Sequence, residues 1–157
     1  MSGLSEFFQA RQKQSLLVLM LLLAGIAWVS SRTDPLSPEG QIEKAITEMV
    51  EGAEKKSVSP FKEHLSEDIR DDSGRGKKDM LNILRGIYLR HQKIHLQILS
   101  LDFAGSTNPH IMNVQLELLM SETNLPTDRG RFSLTFRDEN GTWRLTEAVW
   151  NDGYGYE

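Results

Sequence analysis

Cysteine is missing from all 157 residues, which excludes disulfides, Cys-based zinc sites and a thiol nucleophile, while leaving both oxidising and reducing compartments open. A basic excess is missing too. Eighteen Lys plus Arg stand against 22 Asp plus Glu, and such a balance repels nucleic-acid phosphates and anionic lipid headgroups alike, so no nucleic-acid partner is expected. Internal repeats and low-complexity tracts are absent. A long apolar run occurs once.

That run covers residues 15–31, with fourteen apolar or small residues from Leu16 to Val29 and no charge. Leu, Val, Ile and Met side chains each gain roughly 0.3–0.6 kcal/mol on insertion, so the segment is expected to partition into a bilayer. It is short for a spanning helix, which needs about 17–25 residues. Trp28 near its far end and the Leu4, Phe7, Phe8 face ahead of it favour an uncleaved signal anchor. Ala24-Gly25-Ile26-Ala27 leaves open the alternative of a cleaved signal peptide and a free exported domain. Ile26 stands where a lipobox would need Cys, which excludes lipidation. Arg11 and Lys13 before the run, against Arg32, Asp34 and Glu39 after it, keep the N-terminus cytoplasmic. The expected organisation is therefore a cytoplasmic segment at 1–14, a transmembrane helix at 15–31, a linker at 32–37 and one periplasmic or otherwise extracytoplasmic domain at 38–157. Without Glu6, Arg11 and Lys13, the exported part carries 16 basic against 21 acidic residues, a net of −5.

Within that domain Ser37-Pro38 opens a helix, since Ser caps well and Pro is tolerated at the first helical position. Ile42, Ala45, Ile46, Met49, Val50 and Ala53 follow at the spacing of one buried stripe. Glu51 and Lys55 pair on its solvated face. Ser59-Pro60 predicts a second, short helix through Phe61 and Leu65 to about Ser66. Glu67 to Gly76 carries turn residues without an apolar period and reads as an irregular connection or a very short hairpin. Gly74-Arg75-Gly76-Lys77-Lys78 is no Walker A loop, which would require Gly at Asp71 and Ser or Thr at Lys78. A plain turn or an anion at the following helix start both fit it. Met80, Ile83, Leu84, Ile87, Tyr88 and His91 then predict a helix over 77–91 that packs on a sheet.

From Lys93 the period becomes two. Ile94, Leu96 and Ile98 share one face and Leu99, Leu101 and Phe103 the other, so a bulge is expected between Ile98 and Leu99. Alternation continues through Ile111–Met120 and through Phe132, Leu134 and Phe136. Asn140-Gly141 predicts a type I′ hairpin into Thr142–Trp150, because both residues accept positive φ. His91 and His95 are four apart, but His95 falls on a strand and no acidic third ligand has matching spacing, so no metal is expected. His64 and His110 read as surface residues.

Helices first and antiparallel strands afterwards is the α+β arrangement. The amphipathic first helix, the Phe61–Ser66 element, the Gly76-Lys77-Lys78-Asp79 helix start and four long strands ending in Gly141-Thr142-Trp143-Arg144-Leu145 and Trp150 resemble the NTF2-like (SnoaL-like) superfamily over residues 38–151. The resemblance implies a cone: N-terminal helices on a curved, mostly antiparallel sheet, whose mouth can bind an apolar small molecule or whose sheet face can bind protein. No invariant motif defines that superfamily, so no catalytic residue is carried across. Asp102 and Glu147 are candidate inward carboxylates, and burial would raise their pKa values. Asp102 faces inward only without the bulge, and strand irregularity would turn both outward. Tyr88 and Trp150 are candidate pocket aromatics or plain core. No nucleophile, metal set or acid/base pair is evident, so no catalytic residue or cofactor is expected. Two readings follow, the first of them preferred because an anchor restricts encounters to membrane neighbours and no catalytic set is evident. One is a membrane-anchored interaction or assembly module, resembling in layout the periplasmic core subunits of type IV secretion systems, with a protein partner or homodimer, a filled cone and an exposed apolar patch on the sheet. The other is a pocket protein or enzyme that binds, isomerises or hydrolyses an apolar, lipid-derived molecule.

Overall fold

A computed structural model of the chain describes residues 37–122 and 128–151. The segments expected at 1–14 and 15–31, and the linker apart from Ser37, lie outside the described residues. Among the described residues no helix is long and apolar enough to cross a membrane.

Helix α1 spans Pro38–Glu54, and its N-cap Ser37 accepts a hydrogen bond at Oγ from the Gly40 amide at 3.1 Å. Ile42, Ala45, Ile46, Met49 and Ala53 are buried along one stripe, as their spacing predicts. The helix ends in a Schellman closure: the Lys56 amide donates to Ala53 O at 3.1 Å and the Ser57 amide to Gly52 O at 2.7 Å. That closure puts Lys56 at φ 55°, a left-handed conformation taken here without glycine.

Helix α2 is one residue pair shorter than expected, Ser59–His64, and the chain passes directly into strand β1, Leu65–Asp71. The first half of the irregular connection expected over Glu67 to Gly76, as far as Asp71, is thus strand, and only the remainder is a turn. Leu65 and Ile69 are buried, and Ser66 is buried beside them. Helix α3 (Lys77–Arg90) and strands β2 (His95–Gly105), β3 (Ile111–Ser121), β4 (Asp128–Glu139) and β5 (Thr142–Trp150) complete the fold. Asn140 and Gly141 both have positive φ, 57° and 88°, in the two-residue turn between β4 and β5.

The sheet order is β1-β5-β4-β3-β2, with β1 parallel to β5 and all other pairs antiparallel. This is an α+β cone with a curved, mostly antiparallel sheet. Two register shifts decide which side chains face the helices. In β2 the shift lies between Ile98 and Ser100, so Leu96 and Ile98 before it and Leu101 and Phe103 after it oppose the inward Met120, Leu118, Leu116 and Val114. In β5, Leu145 pairs with Phe136 but Glu147 pairs with Thr135, which leaves Thr146 as the extra residue. Its hydroxyl donates to Thr135 O at 3.0 Å.

Helix α1 lies across the sheet against both β2 and β5. Its stripe meets Val114, Leu134, Phe136, Trp143 and Leu145 in one core. Glu54 ties its end to the start of β2 by accepting from the Leu96 amide at 3.0 Å.

Candidate functional site

Helix α3 does not lie down on the sheet. Leu81 and Tyr88 are buried, but Met80, Leu84 and Ile87 are only partly covered and Ile83 is exposed. Both ends of the helix are pinned elsewhere. At its start Lys77 Nζ donates to Leu65 O at 2.9 Å and to Glu67 Oε1 at 2.6 Å. Near its end the Tyr88 hydroxyl donates to Ser57 O at 3.1 Å, in the turn after α1. A helix fixed at its ends to β1 and to the α1–α2 turn spans the open part of the cone as a strut. The apolar stripe expected to pack on strands instead faces a space.

That space is an apolar cavity of about 410 Å³. From α3 come Met80, Ile83, Leu84 and Ile87; from α1 come Met49, Val50 and Ala53. The floor is the inward face of the sheet: Leu96, Leu118, Met120, Phe132, Leu134 and Ala148. Its volume lies within the 300–1,000 Å³ range of small-molecule sites. At about 24 cal/mol per Å³, leaving such a space unfilled inside a core would cost roughly 10 kcal/mol, an upper bound for a cavity open at its mouth but comparable with the whole stability of a domain.

Two charged residues line it, Asp71 at the end of β1 and Arg75 in the turn before α3. Asp71 Oδ1 accepts from the Ser73 and Arg75 amides at 3.0 and 2.8 Å, and Oδ2 accepts from Arg75 Nε at 2.6 Å. Burial alone would raise the Asp71 carboxyl, whose side chain is 10% exposed, but the Arg75 and Ser73 hydrogen bonds outweigh it and hold the pKa below the ordinary carboxylate value. Tyr88 lines the cavity with its hydroxyl already bonded outward, and burial pushes its pKa up to about 12. It stays a phenol, neither acid nor base at neutral pH.

The other three residues singled out in the sequence are placed elsewhere. The β2 bulge turns Asp102 to the outer sheet face, opposite Gln115, where it is exposed. The Thr146 bulge does the same for Glu147, exposed and 3.5 Å from the Thr135 hydroxyl. Trp150, 47% exposed, does not line the cavity but leans on Phe132, which does, with ring centroids 5.0 Å apart. The four are therefore not brought together. The residues that do meet, above all Met49, Met80, Met120, Asp71 and Arg75, carried no signal beyond an apolar period and a turn. Among the described residues no three His, Asp or Glu side chains converge as a metal set would.

A second depression, about 500 Å³, lies over α1, α2 and the start of β5. It is larger but lined by charges that satisfy one another, Lys44–Glu48 at 3.7 Å, Lys55–Glu51 at 3.4 Å and His64–Glu48 at 2.6 Å. It is a solvated groove. The outer face of the sheet is polar at its centre: Ser133 Oγ donates to Gln115 at 3.0 Å, Thr135 to Asn113 at 3.4 Å, and Arg129 and Arg131 lie 3.3 and 3.5 Å from Glu117.

With helices, sheet order, register and cavity in place, comparison with solved structures is decisive for the fold. An NTF2-like protein of unknown function from Pseudomonas putida superposes with a TM-score of 0.64 at 12% identity, over 76% of this chain and 89% of that one. The fold is NTF2-like. A hexachlorocyclohexane dehydrochlorinase, LinA-type3 from Novosphingobium barchaimii, gives 0.62 at 12% identity over 74% of this chain and 86% of that one. An uncharacterised protein with a cystatin-like fold from Caulobacter vibrioides gives 0.61 at 13% over 71% and 86%. Identities this low carry the NTF2-like fold across, and not an activity. No protein-family model and no curated protein matches the sequence.

Proposed function

We propose that this NTF2-like domain is a binding protein for an apolar small molecule, held in the cavity beneath α3. The observation that carries the reading is the stripe Met80, Ile83, Leu84 and Ile87, kept off the sheet by a helix tethered at both ends and facing an apolar space of about 410 Å³. An assembly module calls for the reverse, a filled cone and an apolar sheet face, whereas the centre of this sheet's outer face is a lattice of polar side chains. That contrast supports the pocket reading over the interaction reading preferred from the sequence. Three methionines in the walls suit ligands of variable shape, because unbranched thioether side chains repack readily.

Chemistry on the bound molecule is not part of the proposal. The one carboxylate in the walls, Asp71, is locked as an anion by three hydrogen bonds, and Tyr88 is held as a neutral donor to the backbone. Neither is poised to exchange a proton at neutral pH. The apolar run at residues 15–31, with Arg11 and Lys13 ahead of it, supports a station at the extracytoplasmic face of a membrane, beside a bilayer in which apolar molecules concentrate. The test is native mass spectrometry of the full chain released from phosphatidylcholine nanodiscs. A retained small molecule, absent from a variant with a filled cavity, supports the reading, and a bare chain in both refutes it.

A further inference from the structure

The cavity walls are apolar throughout except at the β1–α3 turn, where one guanidinium is held in a fixed orientation. Arg75 uses Nε to bond Asp71 Oδ2, and its own amide is bonded by the same carboxylate. Its terminal nitrogens have no acceptor among the described residues, and its side chain is 48% exposed at the cavity's edge. Asp71 therefore acts as an orienting group: it takes the Nε side of the fork and leaves the outer edge free for a second planar acceptor. A guanidinium so fixed, with apolar side chains on one side and water on the other, matches a carboxylate whose hydrocarbon chain enters the cavity. An aliphatic alcohol offers that edge a single neutral acceptor, and a hydrocarbon or a protonated amine offers none.

We propose that the ligand is an anionic amphiphile of the alkyl carboxylate class, its tail among Met80, Leu84, Ile87, Met120 and Phe132 and its headgroup on the free edge of Arg75. This rests on the cavity reading above and narrows it to one chemical class. Its two ends make separable demands. Tail contacts are shared by any chain of equal length, whereas the Arg75 contact is specific to the carboxylate.

The experiment is calorimetric titration of the full chain in phosphatidylcholine vesicles, with protein-free vesicles as the partition blank. Decanoate, decanol and decyltrimethylammonium are the probes. Decanoate is expected to bind about tenfold or more tightly than decanol, the scale of a charge-assisted bond pair, and the cation weakest of the three. Arg75→Gln should erase the difference between decanoate and decanol while leaving decanol within about twofold; Arg75→Lys, which keeps charge and loses the fork, should retain part of it. Equal binding of decanoate and decanol to the unaltered protein overturns the headgroup assignment and leaves the cavity reading standing. Failure of all three to bind overturns both. The ligand comparison needs no variant, so misfolding of an Arg75 substitution cannot rescue the idea.

Discussion

Ala148→Phe separates an open cavity from a filled core by the sign of its effect. Ala148 lies in β5 opposite Leu134, with its side chain toward the cavity, and a Phe there is compatible with a strand. In a close-packed core, adding a phenyl group costs about 1–3 kcal/mol through off-rotamer side chains and backbone shifts. Above an apolar space of about 410 Å³ the ring has room, and burying it gains roughly 1.5–3 kcal/mol relative to leaving it exposed. Allowing for lost side-chain entropy of about 0.5–1 kcal/mol, the net expectation is stabilisation of about 1–2 kcal/mol. Each kcal/mol corresponds to about 2–8 °C in Tm for domains of this size range, so the midpoint should rise by several degrees in ligand-free protein. Thermal and urea unfolding followed by circular dichroism provide the assay, with an unchanged m-value showing that compactness is preserved. A fall in stability of 1 kcal/mol or more would mean that no usable space exists beneath α3, and the reasoning from the tethered helix would fail with it.

Tyr88 has its pKa raised to about 12 in the fold from 10.0, so the stability it contributes is complete below pH 10 and lost as pH rises toward 12; Tyr88→Phe should remove that alkaline decline and also loosen the end of α3, seen as faster amide exchange there. Glu139 is held below its usual pKa first by the Ser66 hydroxyl, then, against a cost of burial, by Arg137 and Arg144. Its stabilisation is therefore present above about pH 4.5 and lost as pH falls through the lower folded value, and Glu139→Gln should flatten the acid limb of the stability curve. Ser66→Ala, removing a buried donor to that carboxylate at 2.6 Å, should cost about 1.5–3 kcal/mol at neutral pH. Lys56→Gly should stabilise by about 1 kcal/mol, because it relieves a left-handed non-glycine residue at the end of α1; destabilisation in urea melts would contradict the Schellman assignment.

Much of the fold is legible in the residues, for local physical reasons. Ser37-Pro38 and the stripe to Ala53 set α1, Asn140-Gly141 sets the hairpin, and the switch of inward face at Ile98–Leu99 locates the first bulge. Strand β1 is hidden because Glu67, Asp68, Arg70 and Asp71 surround only two buried apolar residues, Leu65 and Ile69, and because its pairing with β5 crosses most of the domain. The second bulge is hidden for a different reason. Trp143 and Leu145 imply that Glu147 points inward, and nothing about Thr146 announces the extra residue that reverses the phase. The cavity is the least legible feature. Periodicity states which face of α3 is apolar, but how far that face stands from the sheet depends on Lys77 reaching Leu65 O and on Tyr88 reaching Ser57 O, both long-range contacts. Arg75 likewise reads as part of a turn until the fold sets it beside an apolar wall.

Methionine methyl groups report on the cavity directly. Met49, Met80 and Met120 line it, while Met112 is buried in the core away from it. In the full chain labelled with [methyl-13C]methionine and titrated with decanoate, the three lining resonances should shift together and saturate, and Met112 should stay in place. Equal movement of all four, or of none, would contradict a ligand seated beneath α3.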